Sequence, residues 1–393
     1  MKALLQTQGL LFSSTCYCSS RFQYLHFMKK NFKALMFGCF VALLLCELIL
    51  RIYNPFTNFT KQGKLILPAN QQVVFQNKWI AQLDPQIHYS RNALGFRGPM
   101  PPDSIHQLNS VICIGGSTTE CRFLSDDQTW PALLQQQLKD SIPRLWINNA
   151  GIDGHSTFGH LLLLKEYILK LKPRYVLLLT GVNDIETEKP ETYDEMNENS
   201  ISFRSLKSFF KSVLNKTEIG ATIFQVYAIK LAYKKGLIHR ELDFKNLPDT
   251  VFATKFIEQK LEAQQPFVKG YTERLEQIIN LCLQNGVQPV LLTQPTLFGA
   301  YTDPAAGIVM NDKYLPGAEP VTNNGLQQQV LALYNNAALS FRPRVTVINL
   351  DSVMPKSTAY YYDFIHFNKS GAEKVAALLA AELKRQVFNP GVH

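Results

Sequence analysis

The chemistry in this sequence is concentrated in two short stretches far apart in the chain. In "DFIHFN" (363–368), Asp363 stands three residues before His366. An imidazole serves as a general base when an acceptor on Nδ1 fixes its tautomer. An aspartate three residues upstream in a tight turn can be that acceptor, so the base that activates a nucleophile is itself oriented by a third group. The matching hydroxyl stands in "VICIGGSTTE" (111–120), where Ser117 follows an apolar run and two glycines and precedes a helix. Gly-Gly-Ser-Thr in that setting can cradle a phosphate, make a plain strand-to-helix turn, or hold out a nucleophile. A phosphate-binding loop needs a lysine after its glycines. Here Thr118, Thr119, Glu120 and Cys121 follow instead, and Glu120 would repel a phosphate. A dinucleotide-binding glycine pattern is also missing. Thr118 and Thr119 are expected to satisfy free N–H groups at the helix start.

Acyl transfer also needs donors that converge on one oxygen. Ser117 supplies its own N–H at a helix N-terminus, where negative charge is stabilised. Asn183 in "TGVND" (180–184) offers a side-chain amide, and Gly151 in "NNAG" (148–151) offers an N–H with no side chain in the way. Ser117, Asp363 and His366 are therefore the candidate catalytic set, and Ser117, Gly151 and Asn183 the candidate oxyanion hole.

These residues need a scaffold that brings distant loops to one edge. Five nearly continuous apolar runs supply it: 111–116, 145–151, 174–181, 287–295 and 345–351. Continuous apolar character marks parallel strands covered on both faces. Helical periods lie between them, at 130–138, 158–171, 271–283 and 372–387, the last with Asn368 as its expected N-cap. The alternation predicts an α/β, doubly wound sandwich. Ligands in such sheets bind at the carboxyl ends of the strands, where "GGST", "NNAG" and "TGVND" all fall. Two insertions, at about 187–270 and 297–327, interrupt the rhythm at that edge. The first carries the aromatics Phe209, Phe210, Phe224 and Tyr227. Residues 54–104 form an extended or β-rich collar with turn glycines Gly95 and Gly98.

Ser117 in "GGST", Gly151 in "NAG", Asn183 in "GVND" and His366 in "DFIHFN" fall in the order and context of the SGNH, or GDSL, hydrolases, which the region 105–388 resembles apart from its insertions. The resemblance implies a flavodoxin-like, five-stranded parallel sheet and an ester hydrolase. It makes Ser117 the nucleophile, His366 the base oriented by Asp363, and Ser117, Gly151 and Asn183 the oxyanion donors, with no metal or cofactor. An acylated glycan or a small lipid-like ester is the substrate class it implies. An O-acyltransferase acting on a cell-envelope polysaccharide would use the same triad, and a tethered binding module would need none. Gly116 stands where the family usually carries aspartate. The "NALGFRG" collar and the apolar N-terminal run resemble a membrane-tethered bacterial branch.

The bulk numbers agree with a folded enzyme. The chain has 393 residues, 46% hydrophobic and 18% charged, with a formal net charge of +9. The basic residues are spread along it, which argues against a nucleic-acid partner. Seven cysteines are too few for a disulfide scaffold. The N-terminus is an address. Lys29, Lys30 and Lys33 precede an apolar run from Ala34 to Leu50, interrupted only by Glu47. The run spans about 26 Å as a helix, close to the roughly 30 Å hydrocarbon core. No small-residue cleavage site follows, so the run is expected to be an uncleaved signal-anchor over 32–53. The preceding lysines would keep 1–31 cytoplasmic, with 1–27 an upstream extension, and place the 105–393 catalytic domain on the non-cytoplasmic side.

Overall fold

The computed structural model describes residues 32–53, 60–61, 64–189, 216–234, 239–318 and 321–388. The expected cytoplasmic segment 1–31 and the insertion aromatics Phe209 and Phe210 lie outside these residues, as does the side chain of Phe224.

Seven strands are used below: β1 (Gln71–Gln76), β2 (Gln86–Arg91), β3 (Asn109–Gly115), β4 (Leu145–Asn149), β5 (Tyr175–Thr180), β6 (Gln288–Thr293) and β7 (Thr346–Ile348). The last five form one parallel sheet in the order β4-β3-β5-β6-β7. This is the doubly wound order, and the direction of winding reverses at β3. Ser117 follows β3, so it stands at the switch point where such sheets open a crevice.

Alternation along each strand feeds two cores. Leu177 and Leu179 of β5 face one, with Leu134 and Leu138 of α3 (Trp130–Leu138) and Val375, Ala376 and Leu379 of α9 (Lys369–Leu383). Val176 and Leu178 face the other, with Leu163 and Ile168 of α4, Leu275 and Ile278 of α7 (Gln265–Gln284) and Val330 of α8 (Asn324–Leu339). Helix α4 starts at Thr157–Leu163 and runs through a π turn at Leu164–Ile168 to Leu171. Each side chain buried this way contributes about 1.5–3 kcal/mol, so the sheet is a rigid base for the loops at its edge. Asn368 caps α9 by accepting from Gly371 N–H at 3.0 Å, and Cys113 is a fully buried free thiol in β3.

Strands β1 and β2 pair as an antiparallel hairpin, Gln71 opposite Arg91. The first insertion contains α5 (Glu218–Lys234) and α6 (Thr254–Glu262). The second is irregular until α8 begins. Helix α1 (Phe32–Ile52) has 21 residues and a mean hydropathy of 2.3, with its apolar side chains unburied. By length it can cross a bilayer, as an anchor or as a signal sequence. Its interrupting Glu47 accepts from Arg51 Nε at 2.9 Å and from the Glu218 and Ile219 amides at the start of α5.

Candidate active site

Strand β3 ends in Gly115 and Gly116, and a short helix α2 (Ser117–Glu120) begins at once. Both glycines are needed for close approach. A Cβ on Gly115 would lie 2.2 Å from Thr119 Oγ1, and one on Gly116 would lie 2.4 Å from Asn183 Nδ2. The position that usually carries aspartate is thus filled by the Asn183 amide.

The loop 360–368 closes on itself through a Tyr361–Phe367 bridge. Within it Asp363 Oδ1 accepts from the Ile365 and His366 N–H groups at 2.8 and 2.6 Å, which fixes the carboxylate. Its Oδ2 lies 2.6 Å from His366 Nδ1, and His366 Nε2 lies 2.8 Å from Ser117 Oγ. With Nδ1–H donating to the Asp363 carboxylate, Nε2 is an acceptor for the Ser117 hydroxyl. All three residues are buried. The expected trio, spread over nearly 250 positions, is one hydrogen-bonded chain.

The expected oxyanion donors are placed differently. No hydrogen bond among the described residues uses the Ser117 N–H. Asn183 Nδ2 donates to His155 O at 3.0 Å and keeps its second proton. Gly151 does not present a free donor: its N–H is taken by Asn149 Oδ1 at 2.9 Å. Asn149 Nδ2 in turn donates to Thr119 O at 2.7 Å. Gly151 is instead a packing glycine, since a Cβ there would meet Glu120 N at 2.3 Å. Three residues on, Gly154 turns at φ +76 and no described residue accepts its N–H. The signal for it was present in "DGHST", a glycine just before the start of α4.

The threonines do not cap α2 either. Thr118 Oγ1 bonds Gln294 Oε1 at 3.3 Å, and Thr119 Oγ1 packs against Gly115 with no partner among the described residues.

Sequence reasoning missed the support beneath α2. Glu120 and Arg91 form an ion pair with both side chains at 0% exposure and 3.0 Å apart. Tyr89 Oη donates to Glu120 Oε1 at 2.8 Å, and Arg91 also donates to Gly95 O and Gly151 O. Glu120 Oε2 accepts from the Asp153 N–H at 2.6 Å. Arg97 donates to the carbonyls of Glu120, Cys121 and Leu124 and pairs with Asp126 at 2.7 Å. The "RNALGFRG" segment therefore clamps the end of the nucleophile helix and ties it to the 151–154 turn.

A second histidine also arrives unannounced. His239, from the first insertion, places its ring 4.0 Å from that of His366 at an interplanar angle of 31°. Tyr362 Oη lies 2.6 Å from its Nδ1, and Asp153 Oδ2 lies 3.3 Å from its Nε2. Burial, the largest single influence, opposes its charge, but Asp153, aided by Asp363 and Glu120, raises the His239 pKa. For Asp153 burial again opposes the charge, and His239 prevails, holding the carboxyl down at about 2. A lone histidine among eight gives no sequence signal for this.

With this geometry described, the family can be stated. The model of the GDSL-like lipase/acylhydrolase family matches residues 113–374. The chain belongs to that family. It is a carboxylic ester hydrolase, on the α/β sheet that the family uses. A comparison with curated proteins gives no match. Solved structures that resemble the chain include a GDSL-like lipase from Bacteroides thetaiotaomicron, at 12% identity and TM-score 0.38, covering 74% of this chain and 93% of that one. The acetyl xylan esterase AlAXEase shows 13% identity and TM-score 0.39, with 70% and 99% covered. An acetylxylan esterase from Geobacillus stearothermophilus shows 13% and 0.37, with 70% and 93% covered. Likenesses at this level carry no argument about what this GDSL hydrolase cleaves.

Proposed function

We propose that this GDSL hydrolase is a serine esterase for short acyl groups, working through Ser117, His366 and Asp363. The observation that carries the reading is the unbroken chain from Ser117 Oγ through the His366 ring to Asp363. Nε2 takes the Ser117 proton as Oγ attacks the acyl carbonyl, and the imidazolium is held by the Asp363 carboxylate. The proton then passes to the leaving alcohol, and water, activated by the same nitrogen, resolves the acyl-enzyme. The oxyanion meets the Ser117 N–H, the Asn183 amide and a glycine N–H of the 151–154 turn, for which Gly154 is the open candidate. Preorganised donors of this kind carry much of the catalysis.

We take the narrow recess walled by Ser117, Cys121, Phe123, Tyr362 and His366 as the acyl side, which favours a short acyl group, such as the acetyl of an O-acetylated carbohydrate, over a long-chain lipid.

The domain and membrane reading rests on the apolar helix α1 and the lysines that precede it. Residues 54–104 are a collar to the 105–393 catalytic domain, and α1 anchors the chain with that domain outside the cytoplasm. The anchor is tested by fractionation: the full chain stays with carbonate-washed membranes, and a chain lacking 1–53 does not. The esterase is tested with the full chain in detergent. A fluorophosphonate should label Ser117, and Ser117→Ala should abolish 4-nitrophenyl acetate hydrolysis. Equal rates in both proteins would overturn the reading.

A further inference from the structure

The His239–Asp153 pair stands at the mouth of the site and has no part in the triad. The segment carrying His239 is fixed to the catalytic loop. Leu242 N–H donates to Tyr362 O at 3.0 Å, and Phe244 meets Phe364 edge-on at 5.3 Å. Phe123 packs against the other side of the His239 ring, centroids 4.8 Å apart. The imidazole is therefore held on all sides, with its side chain 10% exposed, while that of Asp153 is 37% exposed. Only one oxygen of Asp153 is engaged by His239. The other takes no hydrogen bond from any described residue. Asp153 directly precedes Gly154, whose N–H no described residue accepts.

We infer that Asp153 is a binding group for a hydroxyl adjacent to the scissile ester, and that His239 is its positioning residue, so that the alcohol half of the substrate is a polyhydroxylated one. This rests on the esterase reading of Ser117. Asp153 is linked to His366 through the stacked His239 ring, which sets it on the His366 side of Ser117, where the leaving alcohol takes up its proton. The class of ligand follows from charge. Glu120, Asp363, Arg122 and His366 act on the pair electrostatically, and Tyr362 bonds His239. The His239 ring bonded to Asp153 and the nearby Arg122 offset the carboxylate charge, so a cationic alcohol gains little there. A neutral hydroxyl still gains a charge-assisted hydrogen bond. Sugars and glycerol-like esters carry such a hydroxyl next to the ester, and simple alkyl esters do not.

The test uses the full chain in detergent and two matched ester pairs. The first is 2-hydroxyethyl acetate against propyl acetate, which exchange a hydroxyl for a methyl. Wild type should prefer the hydroxy ester about tenfold or more in kcat/KM, mostly through KM. Asp153→Ala should bring that ratio to within about twofold of unity. A ratio that does not differ between wild type and Asp153→Ala overturns the inference. The second pair is acetylcholine against 3,3-dimethylbutyl acetate, its uncharged isostere. His239→Gln leaves the Asp153 charge uncompensated and should raise the preference for acetylcholine several-fold. A His239 that merely packs would slow both esters equally, and that result would reject its positioning role. The esterase reading is checked separately. If Ser117→Ala cleaves propyl acetate as fast as wild type, the hydrolase mechanism fails. A Ser117-dependent rate with no hydroxyl preference removes only the present inference.

Discussion

His239 lies against His366 with ring centroids 4.0 Å apart, although 127 residues separate them in the chain. Two imidazoles at that distance resist being charged together. The Asp153 carboxylate bonds His239 and not His366, and it favours the charged form of His239. His239 should therefore titrate above the ordinary histidine value of about 6.5. In Asp153→Asn the largest raising cause is lost while burial and the weaker pull of Asp363 and Glu120 remain, and the His239 titration should fall. Two-dimensional NMR of ring-labelled histidines reads this directly. An unchanged His239 midpoint in the variant would show that Asp153 does not set its charge.

The triad and the oxyanion donors should differ in the size of their effects. Ser117→Ala or His366→Ala should lower kcat on 4-nitrophenyl acetate by about 10⁵-fold or more, and the double variant should cost little beyond either single one. Asp363→Asn should cost about 10⁴-fold, since it disturbs the tautomer of His366. Asn183→Ala removes one donor and should cost about 10²–10³-fold in kcat with KM little changed. A fall in Asn183→Ala carried by KM alone would remove that residue from the oxyanion hole.

The collar prediction concerns stability. Arg91 and Glu120 are wholly buried, so removing one partner strands the other charge. Arg91→Met should destabilise the chain by about 3–5 kcal/mol in urea unfolding. Arg91→Met with Glu120→Gln should recover part of that loss, because the stranded carboxylate is gone. If Arg91→Met alone unfolds at the wild-type midpoint, the collar is not a structural part of the site.

What the sequence made legible is whatever repeats or sits locally. Strand runs between amphipathic helices are periodic, and all five sheet strands lie within two residues or so of where the pattern puts them. Asp363 and His366 share a tight turn, so their relation is local. Gly151 was harder. A glycine at a strand end looks the same whether it donates its N–H or lets another backbone approach, and only Asn149 Oδ1 at 2.9 Å tells the two apart. Arg91, Glu120 and Asp153 could not be read at all. Each is an ordinary surface-type charge in sequence, and its place in the site is set by contacts 29–60 residues away.

A last prediction concerns His160, buried on α4 behind the two glycines of the nucleophile turn. Burial first, and His155 second, hold its pKa down at about 3, against a smaller opposing pull from the Gly115 backbone. The folded chain thus keeps His160 neutral while the unfolded chain protonates it near 6.5. Below that value the unfolded state binds more protons, so stability falls with pH until about 3. Between pH 7 and pH 5 this one residue should remove about 2 kcal/mol. His160→Leu takes the proton-binding group away and should lose correspondingly less stability over the same interval. Urea midpoints at pH 7 and pH 5 for both proteins measure the difference. Identical pH dependence would mean that His160 is protonated in the folded state, and the dry packing behind Gly115 and Gly116 would have to be abandoned.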